Sequence, residues 1–116
     1  GVAGTITTLA THDLELDEED PALVHGHRML RDRLEGIVEQ LAVLPVVELR
    51  ETRGIHPDRA PVIVAGGVVV VEVLRHFGLE QLEVSERDIL YGAALTAAEL
   101  PAPTEGDAPP GAYVCC

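Results

Sequence analysis

The chain has 116 residues, which suits one domain, and is 47% hydrophobic but only 3% aromatic with no Trp, so any core must be built from Leu, Val, Ile and Ala. Twenty acids against eight bases give a net charge of −12 spread evenly along the chain, which argues against a nucleic-acid platform built on clustered bases. There is no apolar run near the length of a membrane span and no basic-then-apolar leader, so the expectation is a soluble, cytoplasmic protein with no membrane partner.

The first element is GVAGTITTLAT. Glycines at 1 and 4 make a tight turn, and Thr5 is placed to cap a helix running to about Leu14. A Gly turn at a helix start aims backbone N–H groups at an anion, and the helix dipole adds to the attraction. The residues it offers as substrate-binding are Gly1, Ala3, Gly4 and Thr5. On composition alone, a turn that merely packs a helix against a strand is the leading reading. A strand normally feeds such a turn, so this start is expected to be a cut inside a larger protein.

The acidic run Asp17–Asp20 followed by Pro21 reads as a loop, with a short extended stretch at Val24–Met29. Leu30, Leu34, Ile37, Val38, Leu41 and Leu44 then recur at helical spacing, which predicts an amphipathic helix over about 30–43. Pro45 opens a shorter helix to about Arg53, ended by Gly54. The segment HPDRAPVIVAGGVVVVEVLRHFG admits two readings. One is a strand, PVIVAGG, leading through a Gly turn into a helix. The other is one buried helix from about Pro57 to Phe77, with Gly66 and Gly67 inside it at roughly 1 kcal/mol each. In the first reading AGG at 65–67 is a second nucleotide-facing turn; in the second it is a close-packing surface. LEQLEVSE alternates as a strand, Leu82 and Val84 on one face, Gln81 and Glu83 on the other. ERDILYGAALTAAEL is a last helix capped near Ser85. The Pro- and Gly-rich tail, 101–116, is expected to be irregular, and its vicinal Cys115 and Cys116 to imply no disulfide framework.

Catalytic candidates are lacking. Ser85 is the only Ser, there is no Lys, and no carboxylate pair stands out by spacing. Five histidines (His12, His25, His27, His56 and His76) include an H-x-H pair, but no further spacing supports a metal site. No catalytic and no metal-ligating residue is assigned.

In order, the stretches GVAGTITTLA, DPALVHGHRM, RDRLEGIVEQLAVL, GIHPDRAPVIVAGG and LEVSERDILYGAAL resemble the exopolyphosphatase/guanosine pentaphosphate phosphatase (Ppx/GppA) family over about residues 1–96. The resemblance implies an α/β fold, mostly helical as cut: the later part of the second half of a ribonuclease-H-like, actin-like ATPase domain over 1–100. It tips the ambiguous segment to one helix. It implies a parent that releases terminal phosphate from inorganic polyphosphate or pppGpp with Mg²⁺. The phosphate-binding Gly turns, the Mg²⁺ site and the catalytic Glu are expected upstream of Gly1, which would leave the 116 residues inactive and binding no cofactor alone. The expected partners are that missing N-terminal portion and, through it, polyphosphate or pppGpp. The alternative is a stand-alone acidic interaction module that pairs as a homodimer through a sheet edge and apolar surface left uncovered.

Overall fold

The computed structural model describes residues 1–99. In chain order they form α1 (Gly4–Asp13), α2 (Pro21–Val24), β1 (Arg28–Leu30), α3 (Arg31–Ala42), α4 (Val46–Leu49), α5 (Ile63–His76), β2 (Gln81–Glu83) and α6 (Ile89–Glu99). The expected irregular tail at 101–116, with its two cysteines, lies outside the described residues.

Three helices make most of the core. In α3 the predicted leucine spacing buries Leu34, Ile37, Val38 and Leu41 on one stripe. Facing it, α5 buries Ile63, Gly67, Val71 and Leu74, again at helical intervals. Leu9 and Ala10 of α1 are wholly buried against them.

The segment 57–77 contains one helix and no strand, but the helix starts at Ile63 rather than Pro57. Ala60 precedes Pro61, a position that disfavours helical backbone, so residues 57–62 stay in turns. Helix α5 begins where Arg59 C=O accepts from Ile63 N–H at 2.9 Å. Both glycines lie inside the helix and serve close packing. A Cβ at Gly66 would stand 2.6 Å from Thr5 Cγ2, and one at Gly67 2.6 Å from Val38 Cγ2. These approaches offset the helix cost of each glycine, and AGG forms no second nucleotide-facing turn.

Other boundaries differ from expectation for local reasons. Pro21 opens the one-turn α2, whose start is capped by Asp20 Oδ1 accepting from Ala22 N–H at 2.9 Å, so extended backbone begins only at Arg28. The helix expected from Pro45 to Arg53 is the single turn α4 followed by turns. Thr5 does not cap α1: Ala3 occupies the cap position at φ 78°, ψ 161°, and no side chain caps the helix. Ser85 does not cap α6; Asp88 Oδ1 does, accepting from Leu90 and Tyr91 N–H at 2.9 and 3.2 Å.

The sheet pairs Arg28 with Glu83, Met29 with Leu82 and Leu30 with Gln81, antiparallel. Gln81 and Glu83 face outward, and Val84 is buried, as the alternation predicts. Gly1 extends this sheet: its amino group donates to Glu83 C=O at 2.6 Å, and its own C=O accepts from Ser85 N–H at 2.7 Å. Donor and acceptor flank Val84, so Gly1 lies beside β2 in parallel register. Among the described residues, no helix is long and apolar enough to cross a membrane.

The far end of α1 is tied down by an ion cluster. Asp13, with its side chain 11% exposed, accepts from His27 Nε2 at 2.8 Å and from Arg33 Nε at 2.7 Å. Burial alone would raise the Asp13 pKa, but the bonds from Arg33 and His27 outweigh it and hold the carboxyl below its usual range. A group whose pKa folding depresses contributes stability above its unfolded value near ~3.9, and loses it as pH falls through the folded value. Asp13→Asn is therefore expected to cost about 2 kcal/mol at pH 7. In urea titrations at stepped pH, the gap between variant and parent should close as pH falls below about 4. A gap constant from pH 7 to pH 2 would show that the carboxylate charge contributes nothing.

Candidate functional site

The start of α1 opens onto a cleft of about 990 Å³. One wall is a single face of α1: Gly4, Thr7, Thr8 and Thr11, spaced by three, one and three residues. The opposite wall is the loop from Gly54 to Arg59, and Asp17, Glu18 and Glu19 complete the lining.

The loop's position follows from alternating burial. Ile55 and Ala60 are 5% and 1% exposed, pinned in the core, while the four residues between them are exposed. His56, Pro57, Asp58 and Arg59 are thereby pushed out into the cleft. Gly54 makes the entry possible. At φ +76° it lies so close to α1 that a Cβ would sit 2.8 Å from His12 N and Cα. His12 Nδ1 donates to Arg53 C=O at 2.8 Å, and Arg53 pairs with Asp17 at 2.7 Å, which ties the loop to both α1 and the acidic segment.

Arg59 is the cation of the site. Its guanidinium lies across the first residue of α1, so that a Cβ at Gly4 would meet Nη2 at 2.6 Å. Among the described residues it has no carboxylate partner, whereas the guanidinium groups of Arg28, Arg31, Arg33, Arg53 and Arg75 are all paired. Ala3 C=O takes the N–H groups of Ile6 and Thr7, but the N–H groups of Gly4 and Thr5 have no acceptor among the described residues. The positive end of the α1 dipole, two free donors and an unpaired guanidinium thus meet at one point.

The residues expected from sequence divide among three roles. Gly4 lines the cleft. Gly1 is engaged in the sheet through both of its backbone groups. Thr5 offers its N–H at the helix start, while its side chain packs over Gly66. Ala3 holds the unusual backbone that turns the chain into α1; its φ of 78° with ψ 161° is a region that glycine favours, at a cost of about 1–3 kcal/mol for other residues. Ala3→Gly is accordingly expected to be neutral or stabilising by up to about 2 kcal/mol, after the unfolded-state entropy of glycine is subtracted. A thermal melt that drops by several degrees would refute the strain.

Arg59 and the threonine row are not singled out by sequence, and His56 enters only as one of the five histidines. The row has a signal, since Gly4, Thr7, Thr8 and Thr11 share the helical period of the buried residues. Arg59 has little: one arginine among eight in a chain without lysine. The histidines separate rather than cluster. His27 is bound to Asp13, His25 Nδ1 accepts from Glu86 N–H at 3.2 Å, and His56 Nδ1 from Asp58 N–H at 3.3 Å. Among the described residues no three His, Cys, Asp or Glu side chains converge to hold a metal ion. These residues offer no assembled ligand set for the Mg²⁺ whose site the resemblance puts upstream of Gly1. The only serine, Ser85, bonds within its own turn, accepting from Arg87 N–H at 3.0 Å. The arrangement can hold and orient an anion; it offers no nucleophile and no positioned acid–base pair.

Comparison with known proteins agrees with the resemblance. The Ppx/GppA phosphatase family pattern matches residues 1–96. Exopolyphosphatase 2 of Mycobacterium tuberculosis is 36% identical over 102 residues, covering 84% of this chain and 32% of that protein. The bifunctional 3-dehydroquinate synthase/phosphatase of Fusobacterium nucleatum is 30% identical over 103 residues, covering 85% of this chain and 15% of that protein. Among solved structures, the type II variant of the Aquifex aeolicus Ppx/GppA phosphatase superposes with a TM-score of 0.79 at 29% identity, covering 86% of this chain and 33% of the other. The chain thus spans about a third of the length of the Mycobacterium and Aquifex proteins. Its fold is the expected one: α/β, mostly helical, part of an actin-like ATPase domain.

Proposed function

The chain belongs to the Ppx/GppA phosphatase family, and from that premise we infer that its α1 cleft is one wall of the site at which a longer phosphohydrolase releases terminal phosphate from inorganic polyphosphate or pppGpp. The observation that carries this reading is the Arg59 guanidinium lying across Gly4, beside the free N–H groups of Gly4 and Thr5. Phosphoryl transfer is catalysed mainly by positioning and by charge placed around the transferred group. Arg59 and the α1 start supply such charge, and Gly4 and Thr5 supply directed donors. In this reading the catalytic Glu, the phosphate-binding Gly turns and the residues that would hold Mg²⁺ come from the rest of a cytoplasmic enzyme, and the 116 residues alone are inactive.

Two measurements test it. Arg59→Ala should weaken binding of tripolyphosphate to the chain about tenfold, the loss of one charge-assisted contact. Unchanged affinity would remove Arg59 from the site. The purified chain should release no phosphate from polyphosphate or pppGpp with Mg²⁺ present, and clear turnover would sink the claim that the chemistry lies elsewhere.

A second reading, pairing with another copy of the chain, draws on α6. Ile89, Leu90, Tyr91 and Leu95 are all exposed, and none of its residues is buried. A helix apolar all round is normally covered. Size-exclusion chromatography with light scattering decides: a strict monomer over a wide concentration range removes this reading and leaves α6 to the rest of the longer enzyme.

A further inference from the structure

Among the described residues, Glu86 Oε1 is the one buried side-chain polar atom without a hydrogen-bond partner. A buried carboxylate oxygen with no donor is costly as an anion and far less so as a neutral acid. Its surroundings do not relieve it. The Glu86 backbone N–H donates to His25 Nδ1 at 3.2 Å, which fixes the residue just past β2, beside the turn that follows α2. Arg87 is turned away over the Tyr91 ring, 5.1 Å from its centroid, and Asp88 is engaged in capping α6. The groups that face Glu86 from neighbouring segments are Glu19 and His25. Burial and the Glu19 carboxylate push the Glu86 carboxyl above the usual glutamate range, and the opposing pull of His25 does not offset them.

The segment that carries Glu19 is anchored at both ends and free between them. Asp17 is held by Arg53 Nε at 2.7 Å, and Asp20 Oδ1 accepts from Ala22 N–H at 2.9 Å. Glu18 and Glu19 lie between these anchors, exposed, and both line the cleft. The other side is fixed: Val84 N–H donates to His27 C=O at 2.8 Å and Ser85 N–H to Gly1 C=O at 2.7 Å. A change of charge on Glu86 therefore falls on the two residues between the anchors and leaves the strand in place.

We propose that Glu86 is a proton-operated latch on the acidic wall of the cleft: its neutral carboxyl donates to the Glu19 carboxylate and draws Glu18 and Glu19 toward the end of β2, and its ionisation drives the two carboxylates apart. One proton is taken up on closing and released on opening. The latch does not depend on what the cleft binds.

The test is an NMR titration of the side-chain carboxyl carbons and backbone amides of the 116-residue chain. Glu86 should titrate above the ordinary glutamate value of about 4.3, and the Glu18 and Glu19 amides should show a step at the Glu86 midpoint. Glu86→Gln, which keeps the shape and cannot ionise, should remove that step. Glu19→Gln should move the Glu86 midpoint down toward the ordinary value. Urea midpoints give a second readout. A carboxyl whose pKa folding raises costs no stability below its unfolded value and a growing amount as pH rises toward the folded one. The stability of Glu86→Gln relative to the parent should therefore rise as pH passes upward from about 4, and level off once Glu86 is ionised. A Glu86 midpoint at or below the ordinary value, or a stability difference that is flat with pH, overturns the proton site. Amides of Glu18 and Glu19 that titrate identically in the parent and in Glu86→Gln overturn the latch. Should Glu86→Gln fail to fold, Glu19→Gln decides, because an unmoved Glu86 midpoint there removes the coupling on which the latch depends.

Discussion

Leu9→Ala is expected to destabilise the chain by about 3–5 kcal/mol, the upper part of the range for a leucine removed from a packed core. Leu9 is wholly buried on α1, where α1 crosses α5. The cost of such a truncation depends on how far the neighbours collapse into the space. Here they collapse little, because Gly67 of α5, whose Cβ position would lie 3.7 Å from Leu9 Cδ1, has no side chain to swing into the gap. Val38 already closes on Gly67 from the α3 side. A domain of this size has a total stability of about 5–15 kcal/mol, so the variant should lose a large fraction of it. Leu90→Ala, on a residue 73% exposed, is the matched control and should lie within about 0.5 kcal/mol of the parent. Urea midpoints at constant m-value measure both. Equal small losses would mean that α1 does not belong to the cooperative core.

The core that this prediction addresses was partly legible in the sequence. The α3 stripe was, because its leucines and isoleucine repeat with a helical period and its outward positions are charged. Helix α5 was not legible by pattern. Its β-branched run favours a strand, its two glycines favour a turn, and two prolines offer rival starting points. Packing settles what propensity leaves open: Gly66 and Gly67 are where α5 approaches Thr5 and Val38, and only a helix brings both to α1 and α3. The one-turn helix α2 was hidden for a simpler reason. Asp20-Pro21 is both a turn signal and a cap followed by the proline position of a helix, and four residues are too few to show a period.

The site was less legible than the fold. Gly4 and Thr5 could be picked out because a glycine turn before a helix is a local signal. Arg59 could not, since it reaches Gly4 across more than fifty residues of chain. What brings it there is the pinning of Ile55 and Ala60 in the core and the left-handed turn at Gly54, none of which has a short-range signature beyond the glycine itself. The threonine row lay in view at helical spacing, but threonines on an otherwise apolar face read as tolerated core residues until the cleft beside them is seen.

Gly54→Ala is the second large effect, expected at about 3 kcal/mol with a loss of ligand binding beyond what instability explains. Two costs add. The backbone at φ +76° disfavours any side chain by about 1–2 kcal/mol. The new methyl would stand 2.8 Å from His12 N and Cα and 3.0 Å from Thr11 C, all backbone of α1, so relief requires moving the helix or the loop at about 1–3 kcal/mol more. Gly78 separates the two. It has φ +62° with nothing within 4 Å of a Cβ, so Gly78→Ala should carry only the backbone cost, about 1 kcal/mol. The difference between the variants is the price of steric contact alone. If the loop gives way rather than α1, residues 55–59 shift and Arg59 leaves Gly4. Tripolyphosphate affinity of Gly54→Ala, measured well below its melting temperature, should then fall toward that of Arg59→Ala, while Gly78→Ala keeps full affinity. Equal stabilities for the two variants would show that α1 and the loop are not in contact at Gly54, and the cleft between them would lose its hinge residue.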